Sequence, residues 1–368
     1  MANEVTITID NQEVHCQEGT SILKAADAAG IYIPRLCDHP DLPPGPGTKA
    51  DSQVYRNGEI VIGDNDPKSA AYQGCNLCVV EIEGRGIIQS CATLVEDGMV
   101  IHSNAAAVKE LRKNNLARIL SHHPHACLLC SENTGCDREK CPQGEVKQGR
   151  CCPDFGDCEF QKLCEYVTIK DDVSQYIFRD LPVVDTPLFT VDSNLCIGCT
   201  RCIRACEKLQ GKRVIGFTYR EGEFILGTIG PSHKESGCVF CGACVAVCPT
   251  GALMDKGLPW KKKDKLTFAP VILPPEENYD FTEETVLKIP EVNGVYRLLD
   301  EKGETIFIRG AEDIRKDLLE KLHSVGKARF FRYEEHDMYS TRENEILGEF
   351  LKKHGKLPEI NDEISDLY

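Results

Sequence analysis

Two stretches of this chain repeat one spacing of cysteines, Cys-x2-Cys-x2-Cys-x3-Cys, and this repeat constrains the fold more than any other feature. They read CIGCTRCIRACE from Cys196 and CVFCGACVAVCP from Cys238. In such a run three cysteines surround one [4Fe-4S] cluster and the fourth cysteine reaches the other cluster. The repeat predicts a bacterial-type 2[4Fe-4S] ferredoxin domain over residues 186–258. Its two predicted ligand sets are Cys196, Cys199, Cys202 and Cys248, and Cys206, Cys238, Cys241 and Cys244.

The rest of the composition indicates the setting of these thiols. The chain has 368 residues, 21 cysteines and a formal net charge of −15. We expect a cytoplasmic protein, because no signal sequence opens the chain and no run approaches the ~18 apolar residues that span a membrane. Thiols stay reduced in that compartment, so dense cysteines predict metal ligands before disulfides. The negative charge argues against nonspecific nucleic-acid binding.

The first hundred residues predict a second kind of cluster. EVTITIDNQEVHC alternates as a β-hairpin turning at Asp10-Asn11, and GTSILKAADAAG follows as a short helix with Thr20 or Ser21 as N-cap. This order opens a β-grasp ferredoxin, which we place at residues 1–102. Two ferric ions that share two sulfides each need two terminal thiolates. We therefore expect a [2Fe-2S] cluster on Cys37, Cys75, Cys78 and Cys91.

Two features of this region stand apart from the cluster motif. VYRNGEIVIGDN, between Cys37 and Cys75, predicts an inserted hairpin. Cys16 fits no motif and is expected to be an inert core residue.

The N-terminal region also resembles a known family. IPRLCDHPDLPPGPG, CNLCVVEIEG and SCATLVEDGMVI resemble the N-terminal ferredoxin domain of the large iron–sulfur subunit of complex I. The same domain occurs in NAD-linked formate dehydrogenases, [FeFe]-hydrogenases and benzoyl-CoA reductase assemblies, which are redox complexes of anaerobes. The interval from Cys37 to Cys75 is longer than the family pattern because of the insertion.

The resemblance implies a third type of site in residues 103–185, a small helical domain with a cysteine-rich insertion. ELRKNNLARILSHHP predicts a helix ending before Pro124, and His123-x3-Cys127-x2-Cys130 overlaps its end. In the family, one histidine and three cysteines hold a [4Fe-4S] cluster. Cys136 has the family's spacing for the last ligand, whereas Cys158 has the family's local sequence. We favour Cys158, because a cysteine that opens a helix constrains the geometry more than a loop spacing does.

The insertion leaves more thiols than this cluster needs. Four cysteines in a loop rich in Gly and Pro predict an extra site, for Zn²⁺ or for a further [4Fe-4S] cluster. These are Cys136, Cys141, Cys151 and Cys152. Cys164 is expected to be a buried apolar residue, and His122 and His125 flank the motif without a predicted ligand role.

After a linker at residues 259–285 that holds Trp260, residues 286–368 resemble a small α/β GIY-YIG endonuclease domain. The matching positions are Tyr296, Arg315, Glu343 as the metal ligand, and Asn361. Phe307 stands where the family has its second tyrosine, with Arg309 inserted after it. A phenol that positions water or takes a proton cannot be replaced by Phe without losing that role. The tail also carries 14 Lys and Arg against 18 Asp and Glu, so we expect a scaffold or docking module and not a nuclease.

Together these features predict an α+β multidomain electron-relay subunit with one [2Fe-2S] and three [4Fe-4S] clusters. The chain shows no Gly-rich dinucleotide fingerprint after a strand, so we expect no substrate site of its own. The resemblance implies a hetero-oligomer with a flavin- and NAD-binding subunit and a catalytic or electron-bifurcating subunit. One alternative is a redox-sensing nucleic-acid protein that uses the tail as effector. Another is a self-contained oxidoreductase.

Overall fold

The computed structural model describes residues 4–129, 151–152, 158–169, 177, 179–257, 268–275, 278–336 and 338–361. The described residues form two compact units, one ending at Pro274 and one beginning at Pro275. No helix among them is long and apolar enough to cross a membrane.

The first unit contains, in chain order, β1 (Glu4–Ile9), β2 (Gln12–Gln17), α1 (Ile22–Ala28), β3 (Gln53–Arg56), β4 (Glu59–Ile62), β5 (Val79–Ile82), β6 (Gly86–Gln89), β7 (Val100–His102), α2 (Ala106–Leu120), α3 (Ala126–Leu129), α4 (Glu159–Val167), β8 (Val184–Asp185), β9 (Phe189–Val191), α5 (Arg201–Gln210), β10 (Ile215–Arg220), β11 (Glu223–Thr228), α6 (Ala243–Ala246) and β12 (Leu253–Asp255). The second unit contains β13 (Tyr279–Asp280), α7 (Glu283–Val286), β14 (Gly294–Leu299), β15 (Thr305–Ala311), α8 (Ile314–Lys321), β16 (Phe330–Glu335) and α9 (Tyr339–His354).

The N-terminal sheet has the strand order β2-β1-β7-β5-β6. Asp10 and Asn11 have φ values of 48° and 70°, so a two-residue turn joins β1 to β2 as the sequence indicates. The Ser21 hydroxyl accepts a hydrogen bond from the Lys24 amide at 3.4 Å and caps α1, which buries Leu23 against this sheet. The predicted hairpin and helix are both present.

The inserted hairpin forms as expected but joins a different part of the molecule. β3 and β4 pair across a turn at Asn57-Gly58, and β3 also pairs with β11, at Tyr55 opposite Thr228. The resulting sheet has the order β10-β11-β3-β4. Residues 53–62 therefore share a sheet with the hairpin between the two cysteine motifs. The expected boundary at residue 102 does not separate the insertion from residues 186–258, because backbone pairing of the two hairpins satisfies an otherwise open sheet edge.

Buried side chains tie the helices of the first unit to its sheets. The Arg112 guanidinium on α2 donates to the carbonyls of Leu77 (3.0 Å) and Val79 (2.7 Å). A second small sheet has the order β12-β9-β8 and packs Phe189 and Leu253 into the main core.

The second unit is an antiparallel sheet in the order β13-β16-β14-β15, with α8 and α9 packed against it. Tyr279 of β13 pairs with Phe331 of β16, and Val286 of α7 is fully buried in the same core. The folded tail thus includes residues 279–285, where the sequence predicts a linker. Its apolar residues Tyr279 and Phe281 pack against the tail's core and leave no free connector there.

Candidate metal centres

The four cysteines predicted for the [2Fe-2S] cluster lie together. Cys37 is hydrogen-bonded to the Cys75 and Cys91 thiols, and Cys78 is hydrogen-bonded to Cys91. All four are at most 7% exposed. The hydrogen bonds from Cys75 and Cys91 hold the pKa of Cys37 well below its usual value, while the bond to Cys37 and burial raise the pKa of Cys75. The site is a buried donor set made entirely of sulfur.

The loop at Gly45 passes close to the Cys37 thiol. A Cβ added at Gly45 would lie 3.1 Å from the Cys37 Sγ and 3.3 Å from the Tyr72 ring. Glycine therefore allows the loop to approach the thiol closely. This close approach fits a site that encloses a cluster, with Cys37, Cys75, Cys78 and Cys91 as the residues that would hold it.

The two other ligand sets predicted from the repeat each surround a cavity. Cys196, Cys199, Cys202 and Cys248 line one cavity. Cys206, Cys238, Cys241 and Cys244 line the other.

Equivalent backbone hydrogen bonds serve the first thiol of each motif. The Gly198 amide donates to Cys196 Sγ at 3.5 Å, and the Phe240 amide donates to Cys238 Sγ at 3.4 Å. Such bonds stabilise charge on sulfur and tune a bound cluster. Burial raises the pKa of Cys199 to about 12, so metal binding there must displace a proton from the thiol.

Across the described part of the chain, no three His, Cys, Asp or Glu side chains converge at the distances of a single-ion site.

His123 has the features of a metal ligand that donates through Nε2. Its side chain is 4% exposed, and its Nδ1 donates to the Pro124 carbonyl at 2.6 Å. Its Nε2 is buried without a hydrogen-bond partner among the described residues. Burial lowers the pKa of His123 to about 4, so the ring is neutral and keeps a lone pair on Nε2. A neutral imidazole oriented through its other nitrogen is the usual form of a metal-bound histidine.

The cysteines near His123 are only partly within the described residues. Cys158 is the N-cap of α4, where its Sγ accepts from the Gln161 amide at 3.3 Å. The next residue but one, Phe160, packs its ring on His123 with the ring centres 4.8 Å apart. Burial raises the pKa of Cys127, with the neighbouring Cys158 and Cys152 adding to the effect. The structure thus brings Cys158, which we favoured, close to Cys127 and His123.

The remaining cysteines of the insertion leave the extra site as a prediction. Cys130, Cys136 and Cys141 lie outside the described residues, as does Trp260 of the expected linker. Cys152 is buried and packs with Leu195 and Ala252, beside Cys196 and Cys248.

Cys164, His125 and Cys16, which have no predicted ligand role, differ in how deeply they are buried. Cys164 is buried in the core, as expected, and His125 is buried beside His123, whose carbonyl its Nδ1 contacts at 3.0 Å. Cys16 is half-buried at the edge of the N-terminal core and not fully enclosed.

Two buried arginines of α5 are not predicted by the sequence motifs. Arg201 forms a bidentate ion pair with Glu159, with N–O distances of 2.6 and 2.7 Å. Arg204 donates to backbone carbonyls of the N-terminal domain. Their position between the cysteines of CTRCIRAC was the available signal, because a cation close to buried ligands must itself be buried and paired.

In the tail, the residues aligned with the nuclease have other partners. Tyr296 is fully buried, and its hydroxyl donates to the Asp317 carboxylate, which also lies 3.5 Å from Arg309. Arg315 pairs with the Glu291 carboxylate. Tyr296 is therefore not exposed to solvent. Arg315 is paired with Glu291 and not with Tyr296.

The other positions aligned with the nuclease, Asn361, Phe307 and Glu343, contact the backbone or the core of the tail. The Asn361 side chain accepts a hydrogen bond from the Ile308 N–H and donates one to the Ile308 carbonyl, each at 2.8 Å. Phe307 is buried in the core of the tail, and Glu343 lies close to Gly310, where an added Cβ would be 3.2 Å from its carboxylate.

Comparison with known proteins defines the class of this chain. Residues 2–45 and 61–106 match the family described as 2Fe-2S iron-sulfur cluster binding domain, and residues 195–252 match the 4Fe-4S dicluster domain. The chain is an iron–sulfur protein with both kinds of cluster domain. The interruption of the first match at residues 46–60 coincides with much of the insertion. Residues 277–354 match a domain of unknown function, and this match begins close to β13.

Named relatives support the same class. The chain is 30% identical over 280 residues to NADP-reducing hydrogenase subunit HndD of Solidesulfovibrio fructosivorans, covering 71% of this chain and 38% of the relative. It is 27% identical over 267 residues to the mitochondrial NADH-ubiquinone oxidoreductase 78 kDa subunit of Candida albicans, covering 71% of this chain and 30% of the relative. These proteins are homologues, and the resemblance inferred from the N-terminal motifs is confirmed. The chain spans about a quarter to two fifths of the length of the curated relatives it matches.

A solved structure shares the fold. The crystal structure of NAD+-reducing [NiFe]-hydrogenase in the H2-reduced state aligns with a TM-score of 0.50 and 23% identity, covering 70% of this chain and 90% of that chain. This likeness shows a shared mixed α/β fold over 70% of the chain. The GIY-YIG resemblance of the tail stays a prediction.

Proposed function

We propose that this chain is an electron-relay subunit of a cytoplasmic multisubunit oxidoreductase. The observation that carries the proposal is that one continuous hydrophobic core contains thiols from all four predicted cluster sites: Cys37 and Cys75, Cys158, Cys199 and Cys202, and Cys206. Iron–sulfur clusters held there would accept and release single electrons. Clusters held in one shared core would each lie against the packing around the next, as a relay requires.

The chain's own residues would keep this relay dry and fixed. Tyr72 is buried, and its pKa is raised well above the usual value by burial and by the nearby Cys37, Cys75 and Cys199. Its ring therefore lies beside two predicted sites and packs edge-on to Phe217 and Phe224. These aromatic rings would limit the access of water to the [2Fe-2S] thiols and to Cys199 beside them.

We propose one [2Fe-2S] and three [4Fe-4S] clusters, with an extra zinc or [4Fe-4S] site in the insertion. The [2Fe-2S] cluster would be held by Cys37, Cys75, Cys78 and Cys91, and the histidine-ligated cluster by His123, Cys127, Cys130 and Cys158. The other two would be held by the ligand sets of the repeat.

The partners are inferred from the relatives' names and from the sequence. Subunits of NADH-ubiquinone oxidoreductase and of NADP-reducing hydrogenase appear among the relatives, while this chain has no dinucleotide fingerprint. We propose a flavin- and NAD-binding partner at one end of the relay. At the other end we propose a catalytic or bifurcating subunit of the hydrogenase, formate dehydrogenase or benzoyl-CoA reductase type. The buried Tyr296 and the Phe307 substitution favour a docking role for the tail over nucleic-acid cleavage.

The test is anaerobic reduction of the reconstituted full chain, followed by absorption and electron paramagnetic resonance. Dithionite should reduce all clusters, whereas NADH alone should reduce none. NADH should become effective when a co-purifying flavoprotein is added. NADH oxidation by the isolated chain carrying its own flavin would contradict the relay proposal and support a self-contained oxidoreductase.

A further inference from the structure

Arg204 on α5 links two predicted cluster loops directly. Its side chain is 2% exposed. One terminal nitrogen donates both to the Cys37 carbonyl and, at 3.3 Å, to the Cys199 carbonyl. The other donates to the Pro43 carbonyl, and Nε donates to the Thr200 hydroxyl at 3.1 Å. One guanidinium thus joins the backbone at a [2Fe-2S] ligand to the backbone at a cubane ligand.

The charge of Arg204 has no carboxylate partner among these hydrogen bonds. All four acceptors are neutral: three carbonyls and one hydroxyl. A buried cation is costly unless negative charge lies near it. The nearby negative charge would come from thiolates and their clusters.

Another arginine in the same region shows the contrast. Arg213 lies 3.1 Å from the Asp51 carboxylate and 3.5 Å from that of Glu207, so its charge is already neutralised by side chains. It also donates to a backbone carbonyl, that of Lys49. Arg213 therefore serves as a matched control, a partly buried arginine of the same domain with its own carboxylates.

We infer that Arg204 is a positioning residue that fixes the [2Fe-2S] cluster against the cubane of Cys196, Cys199, Cys202 and Cys248 and that stabilises the reduced form of both. The inference rests on the proposed relay function. Reduction adds negative charge to a cluster, so a buried cation near both clusters raises both reduction potentials. The planar guanidinium reaches four acceptors on the two loops with a rigid fork of donors, whereas a lysine ammonium has only three donors on a flexible stem.

The experiment compares Arg204→Gln, Arg204→Lys and the control Arg213→Gln in the reconstituted full chain. The readouts are iron content, potentiometric titration by electron paramagnetic resonance, and the magnetic interaction between the two reduced clusters. An opposite charge at short range shifts a protonation equilibrium by about tenfold or more. We expect Arg204→Gln to change the reduction equilibrium of each cluster by a similar factor. A tenfold change would lower each potential by about 59 mV, since each cluster takes up one electron. Arg213→Gln removes a charge that contacts neither the Cys37 nor the Cys199 carbonyl, so it should lower both potentials much less.

Arg204→Lys keeps the positive charge but loses the planar set of donors. This variant tests the positioning role if Arg204→Gln fails to fold. It should retain both potentials while weakening the magnetic interaction between the two clusters. Unchanged potentials in a fully loaded Arg204→Gln protein would overturn the inference, and so would an unchanged magnetic interaction in Arg204→Lys. Absence of these clusters from the wild-type chain would instead refute the proposed function.

Discussion

Gly227→Ala is expected to detach the inserted hairpin from the ferredoxin hairpin. A Cβ at Gly227 would lie 2.5 Å from the Tyr55 carbonyl oxygen and 2.9 Å from the Val54 side chain. Ordinary contact begins at 3.4 Å, so β3 and β11 would have to move apart by about 1 Å. Forcing a methyl group into a packed contact costs about 1–3 kcal/mol. This cost falls on the pairing of residues 53–62 with β11.

Hydrogen exchange measures that cost locally. A loss of 1–3 kcal/mol should speed exchange of the amides of residues 53–62 by roughly 5- to 150-fold, while β1 and β2 keep their protection. Gly326→Ala is the control, because an added Cβ there meets nothing within 4 Å and its φ is not in the left-handed region. Unchanged exchange in residues 53–62 of Gly227→Ala would refute the pairing of the insertion with β11, and an equal loss in β1 would refute its local character.

Three further predictions concern pH, the histidine site and the tail. Burial, with nearby arginines, lowers the pKa of His39 from 6.5 to about 4, so its contribution to stability is present above pH 6.5 and is lost as pH falls towards 4. His39→Gln should flatten that part of the pH–stability curve measured by thermal denaturation. Cys158→Ser should remove or convert the histidine-ligated cluster, and Cys136→Ser should spare it; metal analysis with electron paramagnetic resonance giving the reverse pattern would show that Cys136 is the ligand. The full chain with Mg²⁺ or Mn²⁺ should leave supercoiled plasmid intact, and metal-dependent nicking that disappears in Glu343→Ala would contradict the docking role.

Local patterns predicted much of this structure. The turn at Asp10-Asn11, the helix opened by Cys158 and the grouping of cysteines in the repeat all depend on residues close together in sequence. In each case neighbouring residues supply the turn, the cap or the spacing, so the sequence contains the necessary information.

The long-range features were not predictable in the same way. Pairing of Tyr55 with Thr228 joins strands more than 170 residues apart, and an exposed hairpin pattern does not say which edge it meets. The burial of Arg204 likewise depends on how α5 packs on the Cys37 loop, since an arginine in an amphipathic helix is ordinarily a surface residue. The tail boundary shifted for a similar reason, because Tyr279 becomes part of a strand only through β16.

The most direct test of the central claim is anaerobic analysis of iron, zinc and acid-labile sulfide in the full chain. One binuclear and three cubane clusters predict about 14 iron per chain, and the extra site would add either one zinc or about four more iron. Fewer than about ten iron per chain, with spectroscopy showing the clusters present to be fully occupied, would contradict the four-cluster relay.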